Sequence, residues 1–420
     1  MSPGGLRIGF VSTRFSGSDG VSLETRKWAS VLEGMGHACF YFAGECDQPA
    51  DRSMVVPEAM FTHPEIEAIT AAVFRPGRRA PGVSLGIQRL AGMLKDRIAE
   101  FVDVFGIDVL VTENALTIPL NIPLGLALTE FIAENDIPVI AHHHDFYWER
   151  DRFLVNCVGD YLTMSFPPAL PGVHHVVINS QASQQLSLRK GVSVRVIPNV
   201  MDFEHPPGPP ERTTAEVRAL LGLADDAEEH LVLQPTRVVQ RKGIEHAIEL
   251  VKRMELRARL VVSHDQIDEG DGYLRRILEY ADLLGVKLEF LADKVRQHGN
   301  GGTVALGDLY RAADLVTYPS TLEGFGNALV EAVYYRRPVV VNRYSIYSLD
   351  IAPKGFRMIE FDDYITDDVV AEARKVIENP ALAEEMTEHN YQLGRRYYSF
   401  RMLEAQLHAL VRDCLGESPS

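Results

Sequence analysis

The sequence predicts an α/β protein of two domains, each built on a mostly parallel sheet. Three observations lead there. Short apolar runs alternate with longer amphipathic stretches along nearly the whole chain. A proline-rich segment, His205 to Thr213 (HPPGPPERT), divides that alternation into two series. The 420 residues, 46% of them hydrophobic, suffice for two separate cores. The boundary is placed at 200/201 and the second domain is carried to residue 395.

The first series opens with a strand at Arg7 to Ser12, a polar loop containing Gly17, Asp19 and Gly20, and a helix from about Ser22 to Met35 that stops at Gly36. The next strand, His37 to Phe42, completes a βαβ unit. Its first loop falls at the carboxyl end of a strand, where doubly wound sheets bind ligands, but it lacks a G-x-G-x-x-G fingerprint. A plain turn and a ligand loop fit it equally. The pattern loosens from Gly44 to Gly86, which reads as an excursion from the sheet, with a basic turn at Arg75 to Gly82. Helices are expected at Ile87 to Phe105 and Leu124 to Asn135, and strands at Ile107 to Val111 and Pro138 to Ala141.

That last strand runs into His142, His143, His144 and Asp145, followed by Phe146, Tyr147, Trp148, Glu149, Arg150, Asp151 and Arg152. In an extended segment His142 and His144 share a face and His143 lies opposite. No further ligand follows at metal-site spacing, so these groups read as a polar cleft lining and no metal is expected. Asp145, Tyr147, Arg150 and Arg152, with Asp19 and His143, are candidates for contacting an acceptor. Trp148 reads as core. Strands at Val173 to Ile178 and Val194 to Ile197 flank a helix from Ser180 to Lys190.

The second series begins with a strand at Leu231 to Gln234, followed by the loop TRVVQRKG, which places Arg237 and Lys242 just before a helix. A helix N-terminus favours anions, and two cations beside it favour them further. The stretch Asp314 to Glu331 (DLVTYPSTLEGFGNALVE) reads as a strand to Tyr318, a glycine-spaced loop, and a helix from Asn327. Its glycines let a phosphate approach backbone N–H groups. Glu323 and Glu331 would repel phosphate but accept from sugar hydroxyls. On residue types alone, an ordinary helix entry explains the stretch equally well.

Composition narrows the function classes. A net charge of −16 argues against nucleic acid as a partner. No apolar run approaches a membrane span, and the four cysteines lack paired spacing, so a reduced, cytoplasmic setting is expected.

Together these motifs resemble the GT-B glycosyltransferases of the retaining family 4 type. Glu323 to Glu331 resembles that family's E-x7-E element, Arg237 to Lys242 its R-x4-K element, IPNVMDF its domain junction, and AHHHD its histidine-bearing strand end. The resemblance implies two Rossmann-like domains facing across a cleft, with a last helix at about 396–415 packing back on the first. It implies a nucleotide-diphosphate sugar of the UDP-glucose or GDP-mannose type as donor, no cofactor, and front-face displacement without an essential metal. Arg237 and Lys242 would hold the diphosphate and Glu331 the ribose. Glu323, with the backbone of Gly324, Phe325, Gly326, Asn327 and Ala328, would hold the sugar, and His144 would reach its C6 hydroxyl, with His143 as the alternative. Gly20 and Phe290 complete the donor set. The base would sit near Phe290 to Asp293, where Ala292 replaces the family's usual glycine and an insertion follows at Arg296 to Thr303. Acidity and the lack of a basic amphipathic helix favour a small hydroxylated or acidic acceptor over a membrane lipid. A sugar-nucleotide 2-epimerase and a non-catalytic nucleotide-sugar sensor are the competing readings.

Overall fold

The computed structural model describes residues 5–17, 19–223, 228–264, 271–291, 295–296 and 304–416. It divides into two compact units: residues 1–198 with 403–420, and residues 199–402.

Unit 1 runs β1 (Arg7–Val11), β2 (Arg14–Phe15), α1 (Gly20–Gly34), β3 (Ala38–Ala43), β4 (Glu45–Cys46), β5 (Ser53–Val55), α2 (Pro64–Val73), α3 (Pro81–Phe105), β6 (Val109–Glu113), α4 (Ile122–Glu134), β7 (Val139–His143), α5 (Asp151–Leu154), α6 (Gly159–Ser165), β8 (Val173–Val177), α7 (Ser180–Lys190) and β9 (Val194–Val196). Seven of these strands form one parallel sheet in the order β5-β3-β1-β6-β7-β8-β9. The order reverses between β1 and β6, so the loops after those two strands diverge and leave a crevice at their carboxyl ends. Apolar side chains of α2, α3 and α4, among them Ile66, Leu94, Phe101 and Leu128, pack on the sheet in one core.

The expected excursion at 44–86 is in large part regular. It returns to the sheet as edge strand β5 and then forms α2. β5 spans only Ser53, Met54 and Val55, too short for alternation to register, and α2 starts on Pro64 at its first turn. Helix α3 also begins earlier than expected, at Pro81, and ends at Gly106 in the left-handed region (φ 58°).

Unit 2 runs α8 (Thr214–Leu220), β10 (His230–Gln234), α9 (Ile244–Met254), β11 (Ala258–Val262), α10 (Asp271–Leu284), β12 (Lys287–Phe290), β13 (Val295–Arg296), β14 (Val304–Ala305), α11 (Leu306–Ala312), β15 (Leu315–Tyr318), α12 (Asn327–Tyr334), β16 (Val339–Asn342), β17 (Ile359–Phe361), α13 (Asp367–Glu378), α14 (Pro380–Tyr397) and α15 (Phe400–Cys414). Its main sheet is again parallel, in the order β12-β11-β10-β15-β16-β17, with the reversal between β10 and β15. Buried side chains of α9, α10 and α13, including Ile248, Ile277 and Ala373, cover this sheet. From Leu403 onward α15 belongs to unit 1, where Asp413 pairs with Arg195 at 2.5 Å. Among the described residues no helix is long and apolar enough to cross a membrane.

Candidate active site

In unit 2 the chemistry-bearing loops meet where strand order reverses, between β10 and β15; in unit 1 Glu113 ends β6 at the reversal and the histidines end the neighbouring strand β7. In unit 2 the loop after β10 carries Arg237 and Lys242, and the loop after β15 carries Glu323 to Gly326. Gln234, buried at the end of β10, donates from Nε2 to the Lys242 carbonyl (3.0 Å) and to Thr236 Oγ1 (3.2 Å), which fixes the first loop. Gly243 follows at φ 59°, and a Cβ there would stand 2.4 Å from the Pro319 carbonyl oxygen. Only glycine lets the two loops approach this closely. The Thr321 amide then donates to the Arg241 carbonyl at 2.9 Å and ties them together.

Between the loops, Lys242 Nζ pairs with Glu323 Oε1, and Arg241 Nη1 lies 3.2 Å from Glu323 Oε2. The Lys242 and Glu323 side chains are each 10% exposed. Burial alone would raise the Glu323 carboxyl, but the Lys242 and Arg241 charges outweigh it and hold the group below its usual range. Burial depresses the Lys242 ammonium, against the attraction of Glu323 and with the repulsion of Arg241 and Arg237. The Lys242 ammonium also sits 5.5 Å from the centre of the Tyr318 ring. The sequence suggested two cations and a carboxylate acting separately on a ligand; the fold pairs two of them.

Helix α12 starts at Asn327 with Gly326 at φ 128°, where a Cβ would fall 2.3 Å from Tyr344 Oη. That hydroxyl donates to the Phe325 carbonyl at 2.7 Å. Phe325 is buried, so its side chain is core and only its backbone can serve a ligand, whereas Gly324 is exposed. Asn327 Oδ1 accepts from Asn199 Nδ2 at 2.8 Å, which gives the IPNV motif a structural role within unit 2. Glu331, one turn on, accepts at Oε2 from the Tyr310 hydroxyl (2.9 Å), which also donates to the Ala328 carbonyl (3.2 Å). Phe290 ends β12 half-buried; Ala292, Asp293 and 297–303 lie outside the described residues.

Tyr310 and His264 had not been singled out from the sequence. His264 follows β11 and bonds through Nδ1 to Ser263 Oγ at 2.6 Å. Burial, then the charges of Lys242 and Arg237, push its imidazole down to about 4. It therefore stands neutral beside the two cations. Its position after a central parallel strand was the available signal.

In unit 1, β7 delivers the histidines and β6 delivers a group that the sequence did not mark. Glu113, fully buried at the end of β6, accepts from His142 Nδ1 (3.0 Å) and His144 Nε2 (3.1 Å) through Oε2. His142 stacks on Trp28 at 4.2 Å, and its Nε2 has no partner among the described residues. Burial would raise the Glu113 carboxyl, but the two histidines bring it down to about 2. Burial opposes charge on His144 as well, yet the hydrogen bond and charge of Glu113 raise its imidazole above the ordinary value. The Glu113 carboxylate oxygen and the ring nitrogens of His142 and His144 lie within 4.8 Å of one another, and both imidazole contacts are at hydrogen-bond distance.

His143 points the other way, as the strand periodicity requires. It is buried, with Nδ1 at 2.5 Å from Thr117 Oγ1 and Nε2 at 3.0 Å from His175 Nδ1, so both ring nitrogens are used inside the unit. Asp145 accepts from Asn114 Nδ2 at 3.1 Å and pairs with Arg150. Asp19 caps α1, accepting from the amides of Val21 and Ser22 and pairing with Arg14 at 3.1 Å; Gly20 is the first residue of that helix. Tyr147 is half-buried at the edge of Trp148, and Arg152 lies over the Phe153 ring at 4.6 Å. Trp148 is packed, stacked 4.4 Å from Phe146 and donating to Gln185 at 2.6 Å.

Comparison with known proteins fits this layout. Residues 223–393 match the family of glycosyl transferases group 1. Mannosylglucosylglycerate synthase of Thermotoga maritima is 32% identical over 95% of this chain and 98% of its own length. The enzyme of the same name from Petrotoga mobilis is 31% identical over 84% of this chain and 86% of its own. A glycosyltransferase structure from Rickettsia africae superposes with a TM-score of 0.70 over 99% of this chain and all of that one, at 15% identity. The chain belongs to the glycosyl transferases group 1 family and is a hexosyltransferase of the GT-B fold.

Proposed function

We propose that this enzyme transfers a mannosyl unit from a GDP-mannose-type donor to a hydroxyl of glucosylglycerate or a closely related small acidic acceptor, with retention at the anomeric carbon and without an essential metal. The donor half rests on one observation: the fold brings the loop of Arg237 and Lys242 against the Glu323 to Glu331 element at the reversal of strand order. The choice of sugar and acceptor draws support from the name shared by the two relatives above.

Lys242 and Arg237 neutralise the diphosphate as the bond from the anomeric carbon to its oxygen breaks. The backbone at the start of α12 donates to the phosphates, Glu331 accepts from the ribose hydroxyls and Glu323 from those of the sugar. His144 serves the C6 hydroxyl. The acceptor oxygen bonds to the anomeric carbon from the side the diphosphate leaves, and a departing phosphate oxygen takes its proton. Two protein cations supply the charge that a metal would otherwise bring.

The purified protein, incubated with GDP-mannose, UDP-glucose and related donors, with and without glucosylglycerate and EDTA, is followed by mass spectrometry. Mannosyl transfer from GDP-mannose that persists in EDTA supports the reading. Release of nucleotide with an epimerised sugar, transfer only to a lipid, or complete loss in EDTA overturns it.

A further inference from the structure

Glu113 is a carboxylate sealed in the interior of unit 1, and no Lys or Arg ion pair to it is found among the described residues. Burying such a charge costs several kcal/mol unless hydrogen bonds compensate, and here two imidazoles do. We propose that Glu113, with Asn114 beside it, is the positioning device for His144: it anchors Nε2 of that imidazole and leaves Nδ1 as the atom offered to the donor sugar. This rests on the role given to His144 above.

Asn114 carries the backbone half of the device. It adopts φ 56°, a left-handed conformation uncommon for a side chain other than glycine. From there its Oδ1 accepts the His144 amide (2.9 Å), its Nδ2 donates to Asp145 (3.1 Å), and its own amide donates to the His142 carbonyl (3.0 Å). The end of β6 thus grips His144 at the amide and at the ring. Ser12 Oγ donates to the Glu113 carbonyl at 2.9 Å and braces the turn from β1. Trp28 of α1 stacks on His142, which holds the second imidazole at 3.0 Å from the Glu113 carboxylate.

The charged and titratable groups facing His144 are Glu113 from β6, Glu24 from α1, and its own neighbours His142, His143 and Asp145. Glu24 is paired with Lys27 at 3.0 Å and Asp145 with Arg150, which leaves Glu113 as the carboxylate in direct contact with the ring.

The test compares wild type, Glu113→Gln, Glu113→Asp and His144→Ala. Transfer kinetics are measured across pH, and the His144 imidazole is titrated by NMR in histidine-labelled protein, with His144→Ala giving the assignment. In wild type His144 should titrate above the usual histidine value of about 6.5. Glu113→Gln should move that titration, and the matching arm of the kcat profile, to lower pH. It should also lower kcat on the order of 100-fold, with donor KM and nucleoside-diphosphate affinity within about twofold. Glu113→Asp should recover part of both. A His144 that titrates below 6.5 in wild type, or that does not move in either Glu113 variant, overturns the proposal even if one variant folds poorly. An inactive His144→Ala with an unaffected Glu113→Gln overturns it alone; a fully active His144→Ala removes the role of His144 and this proposal with it.

Discussion

Lys242 and Glu323, 81 residues apart in sequence, form a buried ion pair at the carboxyl ends of two adjacent parallel strands. Removing Lys242 leaves Glu323 largely desolvated with the half-exposed Arg241 as its remaining cation, and removing Glu323 leaves the Lys242 ammonium buried without its carboxylate. Lys242→Ala is therefore expected to destabilise unit 2 by about 3 kcal/mol in urea unfolding and to abolish transfer. The double change Lys242→Met with Glu323→Gln should recover most of the stability and none of the activity. Equal stability of the single and double variants would show that the pair carries no such coupling.

Tyr310 donates to Glu331, the residue assigned to the ribose, and stacks on Tyr335 at 5.1 Å. Tyr310→Phe keeps the stack and removes the hydrogen bond. Losing a hydrogen bond to a carboxylate is worth about 1.5 kcal/mol, so donor KM should rise roughly tenfold while kcat changes little. Steady-state kinetics with varied donor decide it; a fall in kcat with unchanged KM would place Glu331 away from ground-state donor binding.

Gly326 combines a positive φ with a hydroxyl where a Cβ would go. Gly326→Ala should destabilise the protein by about 2 kcal/mol and weaken donor binding. Adding Tyr344→Phe removes the steric half and should recover part of the loss in thermal melts. No recovery would mean that the backbone conformation carries the whole cost.

Acid stability follows from the buried histidines. Burial lowers His175 to about 4 and, with Lys242 and Arg237, His264 to about 4; His142 and His143 are lowered too. The unfolded chain binds these protons from about pH 6.5 downward, before the folded one does, so stability rises with pH through that window and falls on acidification toward 4. His144, raised, works in the opposite sense but is one group against several. Below 4.5 the depressed Glu113 and Glu323 add a further loss, that of Glu113 complete only near 2. Melting temperature measured across pH should therefore begin to drop near 6.5; a plateau down to 4.5 would contradict neutral buried histidines.

Much of this was legible in the sequence. Helix α7 has the expected bounds, because Asn179 caps its start and Gly191 ends it in the left-handed region, and β15 with α12 forms the strand-loop-helix read from Asp314 to Glu331, where Gly324 and Gly326 mark the loop between an apolar strand and the helix. Helix α8 was missed because it follows the proline-rich segment that signalled a linker; its start is nevertheless marked by the capping box of Thr213 and Glu216. Glu113 stayed hidden for a different reason. A lone carboxylate after an apolar strand has no local partner, and its two histidines lie 29 and 31 residues away. The pairing of Lys242 with Glu323 is likewise a product of strand order, which no local pattern encodes.

The most direct measurement of the central claim is proton NMR of the product formed from GDP-mannose and glucosylglycerate, run in parallel with wild type, Lys242→Ala and His144→Ala. The expected result is a newly formed mannosyl linkage with the donor's anomeric configuration, made by wild type and reduced to background in both variants. An inverted linkage, or transfer by Lys242→Ala at the wild-type rate, would contradict it.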